Sequence, residues 1–313
     1  MQQVYIYSKF ETKEKDTLLN NLGVKYELHF HDEIIEKRQF EIFKKCSICL
    51  GNVPLDWCKE STNLKWLQLH SAGIDPYNLL ENPTFLITNL RGYFAESVAE
   101  TTLAGILAFY RGIDRLYGYQ LNNHWIGQPI RASLQKLHRK KVWVLGGGSI
   151  ANKFISLIKP YDCDITQSLL RNLKTNANSL DYFKNLAQNI DIIVLILPEI
   201  PELTHYLNQK TLTCLSPKAL IVNSGRGSSV KTDDLKVFLQ ENKGAGAVLD
   251  VTEIEPLPKD DSLWGMNNVI LTQHSAGGWE GENSGKVAFF LQQLSKFEIG
   301  GELENSVDCS RGY

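Results

Sequence analysis

Residues 141–151, KVWVLGGGSIA, constrain the fold more than any other stretch of this chain. Val142, Trp143, Val144 and Leu145 run straight into three glycines, and a helical pattern follows from Ser149. A buried strand, a tight glycine turn and a helix start make a site for a phosphate. The glycines let the backbone come close, and the helix N-terminus offers free N–H groups and a positive dipole end. The spacing Gly146-x-Gly148-x-x-Ala151 is the dinucleotide fingerprint with alanine in the third place. Gly146, Gly148, Ser149 and Ile150 are therefore the candidate cofactor contacts. Taken alone, the stretch also fits a plain glycine turn between a strand and a helix.

The rest of the chain alternates strand and helix patterns. Strands are predicted at 4–7, 26–30, 46–50, 64–69 and 85–88, with a helix at 11–22. A long apolar helix at 96–110, rich in small residues, suits a position between layers or between subunits. Beyond the glycines, strands are predicted at 164–169, 191–197, 218–223, 246–249 and 269–271. Strands alternating with helices argue for parallel sheets with crossover helices. The expected class is α/β, with two doubly wound parallel-sheet domains. A chain of 313 residues has room for both, at roughly 150 residues per domain. The expected boundaries are 1–95 plus 284–313 for one domain and 96–283 for the dinucleotide-binding domain, with 96–125 as the bridge.

Composition excludes several partners. A formal charge of −2 gives no reason to expect nucleic acid or an anionic membrane surface. No apolar run approaches the ~18 residues of a membrane span. The N-terminus lacks the basic-then-apolar pattern of a secretory signal, so the cytoplasm is the expected compartment. Six cysteines, at 46, 49, 58, 163, 214 and 309, are scattered and suggest no disulfide framework. Cys46 and Cys49 form a CxxC on a predicted strand, where residues three apart point to opposite faces. No second CxxC completes a metal site, so no metal is expected and the cysteines read as core.

Three strand ends in the second half carry reactive side chains. They read Asn223-Ser224-Gly225-Arg226-Gly227, then Asp250-Val251-Thr252-Glu253-Ile254-Glu255-Pro256, then Thr272-Gln273-His274-Ser275-Ala276. An arginine, a carboxylate and a histidine thus follow three successive strands. In a parallel sheet all three share one rim with the glycine loop.

Through GGGSIA, LILPEIPELTHYLN, NSGRGSSV, DVTEIEP and LTQHSAGG, the chain resembles the D-isomer-specific 2-hydroxyacid dehydrogenases. The SAGID turn at 71–75 and the terminal Gly312-Tyr313 extend the resemblance over essentially the whole length. It implies a Rossmann cofactor domain inserted into a flavodoxin-like substrate domain, the two closing over a small 2-keto or 2-hydroxy acid. Arg226 would hold the substrate carboxylate or carbonyl, since a guanidinium is permanently charged and forks onto a carboxylate. His274 would be the general acid for carbonyl reduction and the base in reverse. Glu255 would face His274 and favour its protonated form, with Glu253 as a competitor for that role. Pro198, Ser224 and Gly225 would line the cofactor, and Asp250 would meet its nicotinamide end. The backbone at Ala72 and Gly73 would meet the substrate carboxylate. Trp279 would be either a wall of the site or a core residue. His70, His124 and His205 have no such context and default to structural roles. The resemblance further implies a homodimer through the cofactor domain. A phosphoglycerate-dehydrogenase-like enzyme and a cofactor-sensing binding protein on the same scaffold are the alternative functions.

Three positions depart from the family pattern. An acid usually ends the second strand of an NAD-specific fold, about 20 residues past the glycines, to bond the ribose hydroxyls. Leu169 stands there, no acid lies between Ile165 and Lys174, and Arg171 and Lys174 are nearby. Missing repulsion plus nearby cations predicts NADP(H) over NAD(H). Gln273 replaces the usual proline before His274, which is expected to loosen the backbone there. Lys231 stands where aspartate is common, and the sequence offers no mechanistic account of it.

Overall fold

The computed structural model describes residues 1–177, 179–187 and 189–309, so Gly312 and Tyr313 lie outside the described residues. The chain forms two units. One is Met1–Tyr93 with the C-terminal segment from Trp279 onward, and the other is Phe94–Gly278. Residues 279–283, expected with the second unit, thus belong to the first.

The first unit is built on strands β1 (Gln2–Ile6), β2 (Tyr26–Phe30), β3 (Ile48–Leu50), β4 (Trp66–Gln68) and β5 (Leu86–Thr88). They pair in parallel in the order β2-β1-β3-β4-β5. The chain reverses direction across the sheet between β1 and β3, the doubly wound pattern of flavodoxin-like sheets. β1 serves two cores because its side chains alternate: Tyr5 packs on one face, Val4 and Ile6 on the other. The helix Glu282–Glu298 covers one face with Val287, Phe290 and Leu294, and Trp66 stacks on Phe290 and Phe297 at 5.3 and 5.2 Å. Ser306 bridges to Thr88, laying the tail beside β5.

The cysteine expectation needs one correction. β3 starts at Ile48, so Cys46 precedes the strand, and Cys46, Cys49, Cys58 and Cys309 share one core cluster rather than opposite faces. Burial pushes the Cys46 and Cys58 thiols up to about 12, which makes them inert packing groups. Among the described residues no group of His, Cys, Asp and Glu is arranged to hold a metal, and no helix is long and apolar enough to cross a membrane.

The second unit carries β6 (Lys141–Leu145), β7 (Asp164–Ser168), β8 (Ile192–Leu195), β9 (Leu220–Asn223), β10 (Gly246–Leu249) and β11 (Val269–Leu271). All pairings are parallel, in the order β11-β10-β9-β8-β6-β7. Continuous apolar runs follow from burial on both faces. Trp143 and Leu145 of β6 enter one core, Val142 and Val144 the other. The direction reverses between β6 and β8, which puts the ligand crevice of such a sheet at the end of β6.

The apolar helix expected at 96–110 is Ala95–Arg111, ended by Gly112 in the left-handed region at φ +64°. It lies between layers within this unit: Ala99, Ile106 and Tyr110 share a core with Ala151 and Phe154 of the helix Ser149–Ile158. Gly105 lets it approach β10, because a Cβ there would meet Val248 Cγ1 at 2.5 Å.

Candidate active site

The glycine loop is shaped to leave backbone N–H groups uncovered. Gly146 has φ +131°, and a side chain there would overlap the Ile196 carbonyl. Gly146 N–H is already spent on Ser168 O at 2.9 Å, which ties the loop to the end of β7. Gly148 is the N-cap of the helix Ser149–Ile158, with no side chain capping it and open space where its Cβ would stand. The first-turn N–H groups, including those of Ser149 and Ile150, have no partner within a helix. This cradle and the uncapped helix start fit a dinucleotide pyrophosphate. Ala151 is fully buried against the helix Ala95–Arg111, so a methyl group is accommodated in the third position of the fingerprint.

At the end of β7, Ser168 is consumed by Trp143 Nε1 at 2.9 Å, and Leu169 caps the short helix Leu170–Thr175. Leu169 lies over Gly147, whose missing Cβ would meet Leu169 Cδ2 at 2.5 Å. Arg171 is exposed and has no acidic partner among the described residues. Lys174 is different: its Nζ lies 3.0 Å from Glu202 Oε1, so only Arg171 remains as the uncommitted cation expected here.

The next strand ends are held by glycines and by one asparagine. Gly225 approaches the backbone of Leu197, just before Pro198, so closely that a Cβ would meet Leu197 N at 2.5 Å. A side chain on Gly227 would overlap the Thr252 carbonyl. Asn223 accepts from Gly225 N at 3.1 Å and donates to Arg226 O at 3.0 Å. The backbone carrying Arg226 is thereby pinned, and its guanidinium donates to Gly225 O at 3.1 Å. Ser224 Oγ shares a 2.8 Å hydrogen bond with Thr102 Oγ1, a contact the sequence reading did not foresee.

Asp250 organises the histidine loop. Its Oδ1 accepts from Thr272 Oγ1 at 2.6 Å and from the N–H groups of Ser275 and Ala276, each at 3.1 Å. Its carbonyl accepts from His274 N–H at 2.5 Å. Thr272 was also missed, although its place two residues before the histidine puts it on the same strand end.

His274 Nδ1 lies 2.6 Å from Glu255 Oε2, while Glu255 Oε1 accepts from Thr252 N–H at 2.9 Å. Glu253, the competitor, faces away: its Oε1 lies 2.5 Å from His205 Nε2 and its Oε2 accepts from Thr232 N–H at 2.9 Å. The two glutamates thus engage different histidines, and Glu255 is the one that meets His274. With Nδ1 engaged, the Nε2 of a half-exposed imidazole remains for a substrate.

Gln273 and His274 both adopt left-handed backbone, at φ +55° each. A proline cannot, because its ring holds φ near −65°. The departure from the family's proline thus accompanies a left-handed backbone in a loop tied to Asp250 by four hydrogen bonds. Lys231 pairs with Asp234 at 3.4 Å.

In the first unit, the turn at 71–75 has its carbonyls spent and its amides spare. Ser71 O accepts from Leu90 N, Ala72 O from Asn89 Nδ2 and Gly73 O from Ser71 Oγ. The N–H groups of Ala72 and Gly73 have no acceptor among the described residues. His70 is fixed by Ser8 Oγ at 2.8 Å and Asn52 Oδ1 at 3.0 Å. Burial, with Lys286 adding to it, lowers its pKa to about 4. Trp279 sits in the first unit against Tyr93, ring centroids 5.9 Å apart.

Residues 103–276 match the family model for the D-isomer specific 2-hydroxyacid dehydrogenase, NAD binding domain. A hydroxyphenylpyruvate reductase of Plectranthus scutellarioides is 32% identical over 66% of this chain and 67% of its own. A glyoxylate/hydroxypyruvate reductase of Arabidopsis thaliana is 28% identical over 69% of each. Among solved structures, the NADPH-dependent glyoxylate/hydroxypyruvate reductase of Sinorhizobium meliloti, in complex with NADP and sulfate, superposes with a TM-score of 0.81. It does so at 19% identity over the full length of both chains. A D-isomer specific 2-hydroxyacid dehydrogenase family protein of Aeromonas salmonicida gives 0.80 at 22% identity, over 98% of this chain and 99% of its own. At these identities the superpositions carry the fold alone.

Proposed function

From the premise that this chain belongs to the D-isomer specific 2-hydroxyacid dehydrogenases, and so is an NAD(P)-dependent enzyme, we propose that it reduces a small 2-keto acid to the D-2-hydroxy acid with NADPH as the preferred donor. The observation that carries the reading is the Glu255–His274 pair on the same sheet rim as Arg226 and the glycine loop. The relatives named for hydroxyphenylpyruvate, glyoxylate and hydroxypyruvate act on 2-keto acids, which supports that substrate class.

Gly146, Gly148, Ser149 and Ile150 would hold the pyrophosphate, while Pro198, Ser224, Gly225 and Asp250, whose Oδ2 has no partner among the described residues, would line the rest of the dinucleotide. When bound, the cofactor supplies hydride to the carbonyl carbon. His274 gives the proton from Nε2 to the carbonyl oxygen, and Glu255 steadies the imidazolium before transfer. Arg226 neutralises the substrate's carboxylate or the charge developing on its carbonyl oxygen. In the first unit, the spare N–H groups of Ala72 and Gly73 receive a carboxylate. Leu169 offers no carboxylate to ribose hydroxyls, and Arg171 attracts a 2′-phosphate; this supports NADPH over NADH. The apolar residues exposed along the helix Ile113–Leu121 and at Trp125, which is 94% exposed, are the surface we assign to a homodimer contact.

The test is cofactor oxidation followed by absorbance, with glyoxylate, hydroxypyruvate, pyruvate, phenylpyruvate and branched 2-keto acids. Turnover of at least one, with higher kcat/KM for NADPH, is expected. Silence with every acid overturns the substrate class. Higher kcat/KM with NADH overturns the cofactor preference alone.

A further inference from the structure

The second histidine–glutamate pair, His205 with Glu253, is not used by the reaction as described. It sits two residues along the same loop from Glu255. We propose that His205 and Glu253 are positioning residues: they clamp the far side of the 252–255 loop so that Glu255 is aimed at His274. The inference rests on the reading of Glu255 as the partner of the acid.

The loop is pulled from two sides. On one side Glu255 spans Thr252 N–H and His274 Nδ1, at 2.9 and 2.6 Å. On the other, Glu253 spans Thr232 N–H and His205 Nε2, at 2.9 and 2.5 Å. Between them Thr252 Oγ1 donates to Ile254 O at 2.7 Å, and Gly227 packs directly under the Thr252 carbonyl. No regular element runs through 252–255, so these side-chain bonds set the direction of Glu255. A swing of about 1 Å in a catalytic partner costs on the order of 10²-fold.

His205 is itself an anchored post. Its backbone is left-handed at φ +53°, its N–H donates to Ser228 O at 2.7 Å, and its carbonyl accepts from Asn208 Nδ2 at 2.8 Å. Thr232 opens the helix Thr232–Glu241, so Glu253 also lies at a positive helix end. Burial works against ionisation of Glu253, but the Thr232 N–H and His205 outweigh it and hold the carboxyl below its ordinary value. The other charged groups beside the clamp are Lys231 and Asp234, which pair with each other, Asp234 also taking Gln209 N–H. His274 in turn faces Glu255 and the backbone of Asp250.

Glu253→Gln, His205→Gln and Glu253→Asp would be compared with Glu255→Gln in the full-length enzyme. Each would be tested for kcat, for KM of both substrates and for the pH dependence of keto-acid reduction, with thermal melting and cofactor fluorescence as folding controls. Glu253→Gln and His205→Gln are expected to lower kcat about 10-fold, less than the ~10²-fold or more of losing an acid outright. The alkaline limb of kcat/KM should move to lower pH, because an imidazolium without its aimed carboxylate gives up its proton sooner. KM for the cofactor should stay unchanged, and Glu253→Asp should recover part of the rate. A rate loss with the alkaline limb in place would overturn the proposal and mark the pair as merely structural; so would unchanged kcat in Glu253→Gln. If Glu255→Gln itself leaves the limb unmoved, the failure lies in the reading of Glu255 and not in the clamp.

Discussion

Gln273→Pro restores the residue typical of the family, yet it should cripple this enzyme. Gln273 has φ +55°, and proline demands about −65°, a rotation of about 120° in the residue before the acid. Two bonds cannot follow that rotation: His274 N–H to Asp250 O at 2.5 Å and His274 Nδ1 to Glu255 Oε2 at 2.6 Å. The first is worth about 1 kcal/mol. The second joins charged groups, but the His274 side chain is 58% exposed, so solvent screening keeps it to about 1–2 kcal/mol. Losing about 2–3 kcal/mol of alignment corresponds to roughly 10²-fold in kcat. Gln273→Gly takes positive φ without penalty and should retain activity. The assay is kcat at saturating cofactor and keto acid, with cofactor binding measured separately by fluorescence. Wild-type kcat in Gln273→Pro would refute the left-handed backbone as a requirement of the site.

Other consequences are equally open to measurement. Leu169→Asp should move the kcat/KM ratio toward NADH, and Arg171→Ala should raise KM for NADPH with little effect on NADH; equal effects on both cofactors would reject the 2′-phosphate assignment. Gly227→Ala should fail to fold or melt far below the parent, since its methyl overlaps the Thr252 carbonyl; an unchanged melting temperature would contradict the packing. His70 binds a proton near pH 6.5 when unfolded but only at about 4 when folded. The unfolded state therefore holds more protons across that window, so stability rises with pH there by up to about 1.4 kcal/mol per pH unit and is lost on acidification. His70→Asn should flatten that part of the urea-denaturation profile, and an unchanged slope would show that His70 does not carry it.

Much of the site was legible because strand ends in a parallel sheet share one rim. Arg226, Glu255 and His274 follow β9, β10 and β11, which are neighbours in the sheet, so the topology puts their strand ends side by side. The choice between Glu253 and Glu255 followed from the family resemblance, which Glu255 matches by standing directly before Pro256, yet the partner of Glu253 lay 48 positions away at His205, where no local pattern points. Lys174 illustrates a different limit. Its charge is visible in the sequence, but its commitment to Glu202 arises from tertiary packing. The left-handed pair at Gln273 and His274 was also hidden, because neither residue is a glycine and the bonds that hold it come from Asp250 on another strand. Likewise Cys46 seemed to belong to a strand that begins two residues later at Ile48, since local apolar character does not fix where pairing starts.

The central claim is that His274, steadied by Glu255, delivers the proton in reduction of a 2-keto acid. Its most direct test is single-turnover reduction by His274→Ala at saturating cofactor and keto acid, with cofactor affinity measured on the same protein. The account predicts an unchanged cofactor affinity and a rate about 10²–10⁴-fold below the parent. A near-normal rate from a protein that still binds cofactor would contradict it.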